Sequence, residues 1–170
     1  MYKEKRPVLK IKCSGCEIFL EGVSIIAVLV NLYVSIKYYP VLPSIIPTHF
    51  GFSGEINSFG SKNTLFFLPI LVMSMYILLT VLSRFPHSYN YLCAITEKNA
   101  EVQYQNAREL ISCLKAEIAI IFTFIQLSTN ATALGKANTI GVFGVPVFIF
   151  VVFGSIVYYI NRSVKLNKKQ

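Results

Sequence analysis

Four continuous apolar runs, Ile18 to Lys37, Leu65 to Ser83, Leu110 to Thr129 and Ile140 to Tyr159, alternate along this chain with polar connections. Each is close to the roughly 20 residues an α-helix needs to cross hydrocarbon. Only helices and closed barrels satisfy their own backbone hydrogen bonds there, and a barrel strand would alternate apolar and polar positions, which these runs do not. The pattern predicts an all-α fold: an integral membrane four-helix bundle, one membrane domain over residues 1–170, with a structured extracellular loop between helices 1 and 2.

Two connections are long. Residues 38–64 are rich in Pro, Gly and aromatic residues and form the loop between the first two spans. The other connection, 84–109, is read as helical. Between Pro86 and Gly135 there is neither Gly nor Pro, so a helix beginning near Thr96 runs without a breaker into the third span. Ile95, Val102, Tyr104 and Leu110 leave it modestly amphipathic, suited to an inner surface or a partner. A solvated helical extension is the favoured reading, because charged helical faces ordinarily meet water.

Composition agrees with a membrane protein. The chain is 54% hydrophobic and 14% charged, with a mean hydropathy of +0.57, where a soluble domain carries about a quarter charged residues. Twelve of the 16 Lys and Arg fall before the first span (Lys3, Lys5, Arg6, Lys10, Lys12), between the second and third (Arg84, Lys98, Arg108) and after the fourth (Arg162, Lys165, Lys168, Lys169). Lys37, Lys62 and Lys136 lie on the other side, and Lys115 lies within a span. The positive-inside bias then predicts a multi-pass protein of the cell membrane with both termini cytoplasmic and loop 38–64 outside. The net charge of +8 belongs to membrane ends facing anionic headgroups, not to a nucleic-acid surface. The first span is too long for a signal-peptide core and lacks a small-x-small cleavage site, so it is read as a retained anchor.

Cys13, Cys16, Cys93 and Cys113 all lie on or near the predicted cytoplasmic side, where no structural disulfide is expected. Cys13-Ser14-Gly15-Cys16 has C-x-x-C spacing, but no second ligand pair accompanies it. A juxtamembrane turn with free thiols is favoured.

Polar residues inside spans are costly and normally face the interior. Glu21 and Asn31 lie in the first span and Lys115, Glu117 and Gln126 in the third. Both spans enter from the same side, so Glu21 and Lys115 sit at similar depth and can pair. Eleven residues separate Lys115 from Gln126, which places them at nearly one azimuth, so one face of the third helix is polar. Helix association through interhelical hydrogen bonds is favoured over an ion or proton path, because no broken helices or inverted repeat mark a transport site. A homo-oligomer is compatible with this plan.

Catalytic inventory is thin. All eight acidic residues are Glu, which removes aspartate nucleophiles and aspartate dyads. The phosphate-loop, H-E-x-x-H and G-x-S-x-G patterns are missing. Ser112-Cys113-Leu114-Lys115 matches S-x-x-K without its companion motifs, and Asn130-Ala131-Thr132 is a formal glycosylation sequon. The expectation is a non-enzymatic protein with no cofactor.

Candidate chemistry concentrates in the loop. Pro40, Pro43 and Pro47 fix φ and extend the residues before them, while Gly51, Gly54 and Gly60 permit turns. Phe50, Phe52 and Phe59 suit the bundle end or the headgroup layer. His49 either bonds the turn backbone or joins Glu55 around a cation or ligand; a lone His beside one Glu favours the structural role. Thr48, Asn57 and Lys62 complete the polar set.

These residues carry a resemblance. Tyr39-Pro40, Leu42-Pro43, Ile46-Pro47-Thr48-His49-Phe50-Gly51, Gly54-Glu55 and Gly60-Ser61-Lys62 resemble the signature of a bacterial membrane family, domain of unknown function 1648, which forms the N-terminal part of SdpI-type immunity proteins. The family pattern commonly has an Asp after Gly-Glu-Pro where this chain has Ile56-Asn57, so a metal or proton role is not carried to that position. The further spans of full-length SdpI-type proteins do not follow the fourth. The resemblance implies a protein that responds to an extracellular peptide toxin or envelope condition and signals to a transcriptional regulator inside. A small membrane transporter, or a membrane-embedded metal-dependent enzyme using His49 and Glu55, is the alternative.

Overall fold

The computed structural model describes residues 6–51, 53–137 and 144–168. Phe52 and the first residues of the fourth apolar run, 140–143, lie outside that set, as do Lys3, Lys5 and Lys169. Among the described residues, four helices are long and apolar enough to cross a membrane. They are α1 (Gly15–Tyr38), α2 (Phe67–Leu82, preceded by a 3-10 turn, Lys62–Phe66), α3 (Ala100–Ala133) and α4 (Gly144–Lys168).

Local chemistry sets their ends. Ser14 closes a capping box on α1: its hydroxyl accepts from the Glu17 amide while the Glu17 carboxylate accepts from the Ser14 amide, satisfying two donors that a helix start leaves free. The C-x-x-C pair is therefore split across a helix start, and both thiols are free and exposed. Pro69 and Pro146 sit in the first turns of α2 and α4, where a missing amide proton costs nothing. The end of α3 is released by Gly135 at φ +69°.

α3 is the spine. It touches α1, α2 and α4, and also the loop between α1 and α2. Ala27, Val28, Val72 and Ala119, with Tyr76 and Phe122 against them, form the contact of α1, α2 and α3; small residues there let the backbones approach closely. Thr123 donates to Ala27 O at 2.9 Å across the same seam. Long apolar side chains such as Phe150 and Phe153 of α4 point away from the other helices, as expected of helices whose outer face meets lipid.

Three expectations need correction. The loop between α1 and α2 is not merely turns: it holds an antiparallel hairpin, β1 (Ile45–Phe50) and β2 (Ile56–Ser61), so the fold is mostly helical and not all-α. The connection 84–109 is helical only from Ala100; before it comes a 3-10 turn, Pro86–Ser88, and irregular chain. That stretch is held by side chains instead of a helical ladder. Tyr89 and Tyr91 donate their hydroxyl protons to Leu82 O and Pro86 O at 2.7 and 2.8 Å. Thr96 and Asn99 bond one another's backbone amides, and Asn99 also donates to Ala94 O.

Nor is the first part of α3 a solvated extension. Gln103, Tyr104, Asn106 and Glu109 are buried. Gln103 and Asn106 donate to Ser163 O and Tyr159 O of α4 at 2.9 and 3.0 Å, and Glu109 pairs with Arg162. On the other side the chain before α1 straps across: Tyr104 donates to Pro7 O at 3.0 Å and Arg108 to Ile11 O at 2.9 Å. Arg6 reaches His87 O and Tyr89 O and lies over the Tyr91 ring. The polar face that sequence pattern directs to water is thus spent on neighbouring segments, because each buried amide needs a partner.

Candidate functional site

The hairpin explains most of the loop signature. Its strands pair Ile45 with Ser61, Ile46 with Gly60, Pro47 with Phe59, His49 with Ser58 and Phe50 with Ile56. Irregular steps flank His49, where a proline that cannot donate to a ladder is accommodated beside bulges. Thr48 and Ser58 share a hydroxyl hydrogen bond of 3.0 Å. A Cβ at Gly60 would lie 2.8 Å from the Thr48 methyl, so a larger residue there would have to push the Thr48 side chain aside.

The tip is tighter. The Gly51 amide donates to Glu55 O at 2.8 Å, the Gly54 amide to Gly51 O at 3.0 Å, and Gly54 has φ +83°, a conformation costly for any residue with a Cβ. A Cβ at Gly51 would run into the Glu55 carboxylate and come within 2.9 Å of Asn57 Nδ2. Gly51, Glu55 and Asn57 therefore meet at one point. The Ser53 hydroxyl also donates to that carboxylate and, with backbone donors adding, holds the Glu55 pKa below its ordinary value.

A lowered folded-state pKa stabilises the tip above the unfolded value, near 4.3, and that contribution is lost as pH falls through the folded one. Corrected for intrinsic rates, amide exchange at Gly51 and Gly54 should stay constant from neutral pH down to about 5. It should then quicken on further acidification, and Glu55→Gln should remove the step.

The base of the hairpin is an anchor. Leu42, Ile46 and Leu65 form a buried cluster against Tyr38, Tyr39, Ala133 and Leu134, joining the end of α1, the hairpin, the start of α2 and the end of α3. Lys62 lies 4.8 Å over the Tyr39 ring and donates to Tyr39 O, while Tyr39 donates to Asn63 at 2.6 Å. Pro47 is buried, Pro43 exposed and Phe50 half-buried. Phe59 is 62% exposed, so it does not pack on the helix ends. His49 is exposed on its strand, and its described cross-strand neighbour is Ser58, not Glu55. Among the described residues, no three His, Cys or acidic side chains gather at metal-ligating spacing.

Residues 26–73 match the domain of unknown function DUF1648. The matched DUF1648 segment begins in the second half of α1, takes in the whole hairpin and its anchor, and ends inside α2. It includes Asn31 but leaves Glu21 and all of α3 and α4 outside. No curated protein and no solved structure matches the chain.

Below the hairpin, Lys115 gathers polar partners on one face of α3. Lys115 donates to Glu21 of α1 and, at 3.1 Å, to Thr80 of α2, and lies 4.9 Å over the Tyr76 ring. Tyr76 donates to the same Glu21 carboxylate. Three helices thus meet on one ion pair. Glu117 faces the other way, accepting from Ser155 of α4 and from Cys113. Asn31 and Gln126 are fully buried, and Gln126 donates to Asn130 at 3.2 Å. Sequence spacing identified this face, but not Tyr76 and Thr80: a tyrosine and a threonine in an apolar run give no signal until α2 is packed against α1.

Proposed function

We propose that this chain is a non-enzymatic, multi-pass bacterial membrane protein. Its four helices cross as one bundle with both termini in the cytoplasm, and its hairpin stands outside. The hairpin responds to an extracellular peptide toxin or an envelope condition, and the cytoplasmic end signals to a transcriptional regulator. The observation that carries this reading is mechanical. α3 is one unbroken helix of 34 residues, about 50 Å at 1.5 Å per residue. Its far end packs under Ile46 of the hairpin, and its first turns hold the N-terminal strap and α4. A rigid element with both ends engaged can relay a displacement at one to the other. Glu97, Lys98 and Glu101 are among the exposed side chains at the inner end and would be open to a regulator.

The test is survival. Cells with and without the gene are challenged with toxin-producing neighbours, and a His49→Ala/Asn57→Ala variant, exposed at both positions, is compared with the natural chain at equal membrane abundance. Protection by the natural chain and its loss in the variant support the reading; equal survival of all three sinks it.

The buried polar face of α3 favours a second reading, a small proton or cation transporter. Flux into proteoliposomes that disappears in Lys115→Met would support it, and tight vesicles would end it.

A further inference from the structure

A cleft of about 730 Å³ opens at the end of the helices opposite the hairpin. Its walls come from the N-terminal strap with Lys10, the first turns of α1, the end of α2 with Arg84 just beyond it, and α3 with Arg108 and Lys115. That volume falls within the range of small-molecule sites.

The charges in it do not balance. Lys10, Arg84, Arg108 and Lys115 face two carboxylates, and both carboxylates are engaged: Glu17 accepts from Arg108 at 2.9 Å and Glu21 pairs with Lys115. Lys10 and Arg84 are exposed and, among the described residues, enter no ion pair. Lys10 in the strap and Arg84 just past α2 thus bring two cations, unpaired among the described residues, to one cleft, and an arginine with a lysine suits phosphate oxygens.

The remaining wall says what the anion is attached to. Ile18, Gly22 and Ile25 lie one and two turns apart on α1, and Ile18 and Ile25 are exposed apolar side chains. A Cβ added at Gly22 would meet nothing within 4 Å. The lining along this stretch of α1 is apolar, with Ile18 and Ile25 open at the surface, and a soluble phosphate would leave it unused where an acyl chain would cover it.

We propose that the cleft seats an anionic phospholipid, with its phosphodiester at Lys10, Arg84 and the outer edge of Arg108 and its acyl chain along Ile18, Gly22 and Ile25. Basic pockets between membrane helices recognise lipid headgroups in this way. The proposal rests on membrane placement of the helices and is independent of what the hairpin senses, so it can fail while that reading stands.

The full chain, purified in mild detergent, is offered dioleoyl phosphatidylglycerol or dioleoyl phosphatidylcholine, and retained lipid is read by native mass spectrometry. The expected result is about thirty-fold preference for the glycerol lipid, from about 1 kcal/mol for each of the two cations. Lys10→Gln/Arg84→Gln should bring it down to the choline level without changing thermal unfolding, since neither residue holds another element. Gly22→Leu should cut retention of the glycerol lipid with all charges intact. Equal retention of both lipids by the natural chain, or undiminished preference in the double variant, overturns the proposal. Displacement of the lipid by an equal concentration of inorganic phosphate would overturn it in favour of a soluble phosphate ligand.

Discussion

Glu21→Leu should destabilise the protein by about 3–5 kcal/mol, the cost of stranding a buried charge by removing its partner. Lys115 is 3% exposed while Glu21 is 36% exposed, so the lysine is the member that suffers. Without Glu21 it keeps only the Thr80 hydroxyl and the face of Tyr76. The reverse change, Lys115→Met, leaves Glu21 at the open cleft with the Tyr76 hydroxyl still donating to it, and should cost less. The double variant Glu21→Leu/Lys115→Met replaces the pair by apolar groups of similar length and should recover most of the loss. Unfolding in mixed micelles by increasing denaturing detergent measures all four corners of the cycle. Equal costs for the two single variants would contradict the asymmetry in burial, and additivity would mean that the pair is not coupled.

Ile46→Ala should release the hairpin. Ile46 is 1% exposed at the centre of the cluster with Leu42 and Leu65, and truncating a buried isoleucine costs about 2–5 kcal/mol. A two-stranded hairpin is marginal by itself, so the loss falls on its docking and not on the helices. Amide exchange should rise through Ile45–Phe50 and Ile56–Ser61 while the middle of α3 stays protected. Uniform loss of protection would mean that the hairpin anchor also holds the helices together. Exposed Phe59→Ala should leave exchange unchanged, since its ring lies outside the cluster. If the relay through α3 operates, Ile46→Ala should also uncouple an external challenge from the cytoplasmic response.

Many of the hairpin residues prominent in sequence are accounted for by architecture. Gly51 and Gly60 leave room for Glu55 and Thr48, Gly54 supplies a positive φ, and Lys62 and Tyr39 close the base. His49, Asn57 and Ser58 are exposed, and of these His49 is the cleanest probe of recognition, because Ser58 bonds Thr48 across the strands and Asn57 packs at the tip.

How much was legible in sequence differs element by element. The four apolar helices follow from run length alone, since hydrocarbon tolerates no other continuous backbone, and Ser14 with Glu17 marks the start of α1 by a local rule. The approach of Glu21 to Lys115 was also readable, because both helices enter from one side and a buried lysine needs an anion. The hairpin was not: its pairs alternate imperfectly, Pro47 sits within a strand and two irregular steps break the register, so periodicity offered little. It forms because Ile46 finds Leu42, Leu65 and the end of α3, residues up to 88 positions away in sequence.

Residues 84–99 and the buried first turns of α3 show the same division. Polar side chains there look solvent-bound in one dimension, yet Gln103, Asn106 and Glu109 bond α4, and Arg108 bonds the strap. Sequence by itself determined the four apolar helices and which buried charges must be matched, because those follow from the cost of exposing backbone and charge to lipid. Tertiary structure alone decided where the loop docks and which polar faces turn inward, because those depend on partners brought near by packing. It also decided that Lys10, Arg84 and Gly22 line one cleft, since the strap and the start of α1 meet the end of α2, more than 60 positions on, only there.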